Sequence, residues 1–154
     1  MPLELDTALM VEHLLALMLS FALALPIGWD REVRERSAGL RTFPLVALSS
    51  CAFVLLARSE FDGDAQARIM QGLVTGVGFI GGGAILKSGD RVRGTATATS
   101  IWTTGALGAA VGYGRLEIAV LLSVMTFLTF RLLGKVKEKT ALVDDEDAEL
   151  PPVD

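Results

Sequence analysis

Five stretches free of Asp, Glu, Lys and Arg decide what this chain can fold into. They run from Leu14 to Trp29, Thr42 to Ala57, Ile69 to Leu86, Gly94 to Gly114 and Ile118 to Phe130, which is 16, 16, 18, 21 and 13 residues. A hydrocarbon core about 30 Å thick takes roughly 20 helical residues to cross, so the shorter runs must borrow flanking residues such as Met10, Val11, Leu40 and Arg41. The last run reaches spanning length as Leu116 to Leu133 when Glu117 and Arg131 snorkel outward at its ends. Composition agrees: 51% of the 154 residues are hydrophobic and the mean hydropathy is +0.50, high for a soluble domain of this size. The sequence predicts an all-α integral membrane bundle of about five transmembrane helices over residues 1–134.

Charge gives this bundle a direction. Outside the five runs, 11 of the 14 Lys and Arg residues fall on one side and 3 on the other. The positive-inside rule then puts the N-terminus outside and the C-terminus in the cytoplasm, provided that all five runs span. The net charge of -4 comes largely from the end of the chain, where seven of the 18 acidic residues lie beyond Lys137. Residues 135–154 are expected to be a charged, disordered cytoplasmic tail. The N-terminal MPLELDTALMVEH has no Lys or Arg to make the basic region of a cleavable signal peptide, so the first apolar run is expected to remain in the mature protein.

Several function classes are excluded at this stage. A single cysteine, Cys51, and a single histidine, His13, leave no internal disulfide, no zinc-ligand spacing and no Cys-His nucleophile arrangement. No basic nucleic-acid patch and no cofactor motif stands out. The one apparent exception is Gly76-Val77-Gly78-Phe79-Ile80-Gly81, which fits the dinucleotide pattern G-x-G-x-x-G. That motif needs a strand before it and an acidic residue about 20 positions on, whereas these glycines lie inside an uncharged run and position 101 is Ile. In a membrane, glycines let helix backbones approach closely, because lipid offers no hydrophobic drive for helix pairing. Gly72 and Gly76, Gly78 and Gly82, and Gly108 and Gly112 are each G-x-x-x-G steps. The triple Gly81-Gly82-Gly83 has a second reading, a broken helix facing a ligand.

Polar residues gather at the ends of these runs. Asp30-Arg31-Glu32-Val33-Arg34-Glu35-Arg36 offers opposite charges at i,i+4, which suits a helix emerging into the cytoplasm, with Gly39 placed to end it. Asp30, Arg31 and Arg41 flank the membrane boundary, where desolvation favours pairing. The segment Lys87 to Arg93 returns to the same face. The fourth run is rich in hydroxyls, with Thr95, Thr99 and Thr103 on one stripe and Thr97, Ser100 and Thr104 on another. These either bond back to their own helix or line a polar path walled by Trp102. No carboxylate lies within the uncharged core of the third or fourth run.

Taken in order, Gly28-Trp29-Asp30-Arg31-Glu32, Ala38-Gly39-Leu40-Arg41-Thr42, Gly76 to Gly83, and Val92-Arg93-Gly94 with Thr97, Ala98 and Trp102 resemble the signature blocks of the MgtC/SapB membrane-protein family. The match covers roughly residues 8 to 134. The resemblance implies a non-enzymatic, multi-pass protein of the bacterial inner membrane. It would regulate other membrane proteins in adaptation to low magnesium or stress, with survival inside host phagocytes tied to some members. The alternative is a small transporter or channel for magnesium or another divalent cation. Three departures stand out. Asp30 sits where the family more often has Glu. Ala96 and Thr103 sit where virulence-associated members carry Asn and Cys. The folded C-terminal cytoplasmic domain of those members is expected to be lacking.

The candidate residues are therefore a polar cluster of Asp30, Arg31, Arg41, Thr42, Arg93, Thr97 and Trp102. Helix packing is assigned to Gly72, Gly76, Gly78, Gly81, Gly82, Gly83, Gly108 and Gly112. No residue is assigned to catalysis, and no metal ligand is named. The expected partners are the lipid bilayer, other membrane proteins and a second copy of the chain.

Overall fold

The computed structural model describes residues 6–34, 38–88 and 91–148. Five helices and one small hairpin follow in chain order: α1 (Thr7–Val33), α2 (Thr42–Glu60), α3 (Gly63–Gly82), β1 (Leu86–Ser88), β2 (Arg91–Arg93), α4 (Thr95–Gly112) and α5 (Leu116–Ala148). The all-α class holds. The two strands pair antiparallel, with Leu86 opposite Arg93 and Lys87 opposite Val92.

Helix starts follow from local chemistry. The Asp6 carboxylate accepts from the backbone N–H groups of Ala8 (2.9 Å) and Leu9 (3.2 Å), and the Asp62 carboxylate accepts from Ala65 N–H at 2.9 Å. Each side chain satisfies donors that a helix start leaves without partners. Before α4 stands Gly94 at φ +87°, a left-handed conformation that costs glycine little. It lies so close to the Ala84 carbonyl that a Cβ there would collide with it.

The five-span reading is corrected here. Only α1, α2 and the stretch Leu116–Gly134 of α5 are long and apolar enough to cross a membrane. The uncharged run from Ile69 to Leu86 is not one helix, because α3 ends at Gly82 and the chain turns through Gly83 and Ala84 into β1. The first half of α3 carries Asp64, Gln66, Arg68 and Gln71. α4 has 18 residues, but six of its first ten are Thr or Ser, which lowers its hydropathy. Counted across three spans, Lys and Arg divide eight to six rather than 11 to 3. The charge argument for an N-terminus outside and a C-terminus in the cytoplasm thereby shrinks to that narrow margin. Beyond residue 134, where a disordered tail was expected, α5 continues as helix to Ala148.

α4 is the centre of the bundle and touches all four other helices. It runs parallel to α2, since Gly108 lies against Ala47 while Gly112 lies against Cys51 and Val54. Arg58 Nη1 closes the far end of that seam by donating to the Gly112 carbonyl at 2.9 Å. α3 runs antiparallel to α4, with Gly81 against Ala98 and Val77 against Gly105. α1 and α5 run parallel, with Ser123 Oγ donating to the Leu23 carbonyl at 2.7 Å partway along and Arg31 meeting Phe130 further on. The core between these seams is filled by Ile27, Phe43, Ile101 and Leu107, all essentially inaccessible.

Candidate functional site

The last turns of α1 hold the densest polar structure among the described residues. Asp30 and Arg31 are only 5% and 6% exposed, although charged groups are rarely buried unless paired. Arg31 Nη2 donates to Asp30 Oδ2 at 2.9 Å, and Arg34 Nε donates to Asp30 Oδ1 at 3.2 Å. Both carboxylate oxygens are thus used within one helix. The Arg31 guanidinium also stacks on the Phe130 ring of α5, 3.6 Å from its centroid. Arg31 Nε is buried without a hydrogen-bond partner. That nitrogen belongs to a guanidinium held on one face by the ring and on one edge by Asp30.

Glu32 has a different task. Its Oε2 accepts from Leu40 N–H at 3.0 Å, fixing the return of the chain from α1 to α2. Two glycines make this return possible. A Cβ on Gly28 would lie 3.2 Å from Leu40 Cα, and a Cβ on Gly39 would strike the Glu32 carboxylate. The Gly39 carbonyl then accepts from Thr42 and Phe43 N–H groups, starting α2.

Of the seven residues of the expected polar cluster, Asp30 and Arg31 are joined by an ion pair. Among the described residues no hydrogen bond or ion pair links the other five to them. Arg41 is exposed at the start of α2, with half-buried Thr42 beside it. Arg93 is exposed at the end of β2. Thr97 is buried on α4, and Trp102 is 49% exposed further along that helix. The hydroxyls of Thr99, Ser100, Thr103 and Thr104 donate to carbonyls three or four residues earlier in α4. The i,i+4 pairs proposed through Glu35 and Arg36 lie outside the described residues.

The glycines separate into two groups. Gly81, Gly108 and Gly112 lie where a Cβ would press on neighbouring backbone. Gly78 has only an ordinary contact, with Trp102 Cδ1 3.9 Å from the site of its missing Cβ, and Gly72, Gly76 and Gly82 face open space. Gly83 ends α3 at φ −62°, so the triple glycine uses no left-handed conformation. Gly28 stands within the family blocks but is given no packing role there, and sequence reasoning missed Gly105 and Phe130. Gly105 stood inside an apolar run with no glycine at i+4, and Phe130 meets Arg31 across 99 positions with no local sign of it.

Among the described residues no three His, Cys, Asp or Glu side chains gather to hold a metal ion. Three span-length apolar helices in one bundle, with charge buried only where it is paired, define a multi-pass membrane protein. The chain belongs to the MgtC family, whose family model matches residues 17–139. It is a multi-pass inner-membrane protein in contact with lipid.

Similar proteins include an uncharacterised Synechocystis protein, slr0014, 39% identical over 76% of this chain and 50% of its own length. The Escherichia coli protein named putative magnesium transporter YhiD is 36% identical over 80% of this chain and 65% of its own. Protein MgtC of Salmonella typhimurium is 33% identical over 87% of this chain and 58% of its own. The chain thus spans between half and two thirds of the length of these relatives. No solved structure matches it.

Proposed function

We propose that this protein is a non-enzymatic membrane regulator that acts on other membrane proteins in adaptation to low magnesium or stress. The observation that carries this reading is where its polar groups are spent. Asp30 is satisfied by Arg31 and Arg34, and the hydroxyls of Thr99, Ser100, Thr103 and Thr104 bond their own helix. A transport route needs polar groups free to replace a cation's hydration shell. Here they are spent within their own helices instead, while α3 keeps most of its surface uncovered.

The second reading, a small magnesium transporter, is supported by the printed name of the Escherichia coli relative. Magnesium flux into liposomes carrying the purified protein separates the two. No flux from well-folded protein is the expected result. Saturable flux that a Thr97→Val substitution removes would overturn the regulatory reading.

A further inference from the structure

A groove of about 320 Å³ lies between α3 and α4 and ends at the start of α5. Its walls are apolar, with Met70, Leu73 and Val74 contributed by α3 and Trp102, Ala106 and Ala110 by α4. Tyr113, Arg115 and Ile118 also line it, and they lie where the spanning stretch Leu116–Gly134 begins. From Trp102 to Tyr113 the floor follows α4 for about 16 Å at 1.5 Å per residue. The groove is therefore apolar along its length and polar at one end, and that end is at the membrane boundary.

The floor argues against another helix as the occupant. Gly105 lines the groove, but a Cβ there would lie 2.8 Å from Val77 Cγ1, so its hollow is already taken by a side chain of the same chain. An incoming helix gains no close backbone approach at such a glycine. Spread over about 16 Å, the volume gives a mean section of about 20 Å², against about 80 Å² for a helix 10 Å across. A slot this narrow admits a single extended hydrocarbon chain.

The charges at the open end say what that hydrocarbon chain is attached to. Arg115 Nε donates to Glu117 Oε1 at 2.9 Å, and both side chains are largely exposed. The contact uses one guanidinium nitrogen and one carboxylate oxygen, and among the described residues the others have no partner. An exposed pair of this kind contributes little to stability. A cation and an anion side by side do, however, complement a headgroup that carries a phosphate next to an ammonium. The start of α5 favours the phosphate further, because the first N–H groups of a helix attract an anion.

We infer that this groove binds a phospholipid with a primary-ammonium headgroup. One acyl chain lies along α4 as far as Trp102, the phosphate accepts from the Arg115 guanidinium, and the ammonium donates to Glu117. A quaternary headgroup has no N–H to give Glu117, and an anionic headgroup without nitrogen sets a like charge against it. The binding does not depend on whether the protein regulates or transports, and its test is blind to both.

Fluorescence of Trp102 tests it, on the full chain carrying Trp29→Phe, which leaves one tryptophan. The protein is placed in phosphatidylcholine vesicles with a rising fraction of phosphatidylethanolamine whose chains are brominated, since bromine quenches an indole that it touches. Phosphatidylethanolamine is expected to quench Trp102 at about a fivefold lower fraction than brominated phosphatidylcholine or phosphatidylglycerol, the scale of one exposed ion pair. Arg115→Gln and Glu117→Gln, both at exposed positions, are each expected to remove that preference. Ala106→Leu, also at an exposed position on the groove, is expected to lower quenching by all three lipids. Equal quenching by the three lipids in the parent, a preference for phosphatidylglycerol, or a preference that survives either charge substitution would overturn the assignment. Undiminished quenching in Ala106→Leu would overturn it too, by showing that no acyl chain lies in the groove.

Discussion

The guanidinium of Arg31 lies 3.6 Å above the centre of the Phe130 ring, and this contact ties the last turns of α1 to α5. A cation over an aromatic face is worth about 0.5–1 kcal/mol when exposed and about 2 when desolvated. Arg31 is buried, so the upper figure applies. Phe130→Leu keeps apolar volume and removes the ring face. It is expected to lower stability by about 1–2 kcal/mol in denaturant titrations of the detergent-solubilised protein. Arg31→Lys should not substitute for the native residue, because an ammonium cannot both stack and present a planar fork to Asp30. Parent-like stability in Phe130→Leu would show that the stacking contributes nothing.

Asp30 supplies the counter-charge for two arginines, Arg31 and Arg34. Removing one partner of a buried pair typically costs about 3–5 kcal/mol, because a buried charge is left uncompensated. Asp30→Asn is therefore expected to be among the most damaging single changes in α1. The double variant Asp30→Leu with Arg31→Leu is expected to lose less than the two single variants added together, since it leaves neither charge alone. A double-mutant cycle measured by chemical unfolding gives the coupling. Additive losses would mean that the two side chains do not interact in the folded protein.

Two glycines near the hairpin make opposite predictions. Gly94 adopts φ +87°, and a Cβ there would meet the Ala84 carbonyl. Gly94→Ala combines that collision with the cost of a left-handed alanine, roughly 1–2 kcal/mol. Gly82 is helical, and a Cβ on it meets nothing within 4 Å. Gly82→Ala should be neutral or stabilising by up to about 1 kcal/mol through helix propensity. Thermal unfolding of the two variants side by side checks this, and the reverse order would mean that Gly94 does not hold its left-handed conformation against the Ala84 carbonyl.

The apolar runs made the helical class legible in the sequence, because segments this long and uncharged have few other stable solutions. They could not show where a helix stops inside a run. Gly82-Gly83-Ala84 ends α3 without any charge to mark it, so Ile69 to Leu86 read as one span. The Asp30–Arg34 pair was visible as an i,i+4 spacing, but the burial of Asp30 and Arg31 was not, because it depends on neighbours distant in sequence, such as Phe130 of α5 over Arg31. The G-x-x-x-G steps looked alike as strings. Only Gly108 and Gly112 meet neighbouring backbone within the chain at both ends of the step, since which face of a helix turns inward is decided by its neighbours.

Gly108 gives the sharpest test of the central seam. A Cβ there would collide with the Ala47 carbonyl oxygen and lie 2.8 Å from both Ala47 C and Ala47 Cα. These are backbone atoms of a helix packed over its length, so they cannot rotate away as the tip of a side chain would. One turn on, a Cβ on Gly112 would lie 2.9 Å from the Cys51 carbonyl oxygen. Gly108→Ala must therefore push α2 and α4 apart along a parallel seam, straining the hydrogen bond from Arg58 to the Gly112 carbonyl. Overpacking of this kind costs about 1–3 kcal/mol, partly offset by alanine's better helix propensity, up to about 1 kcal/mol. Gly72→Ala gains the same propensity without the collision, because that position is open within the chain. Unfolding of the two variants in detergent should place Gly108→Ala clearly below the parent and Gly72→Ala at or above it. If Gly108→Ala matches Gly72→Ala, α2 and α4 do not touch backbone to backbone, and the seam that places α4 at the centre of the bundle is not there.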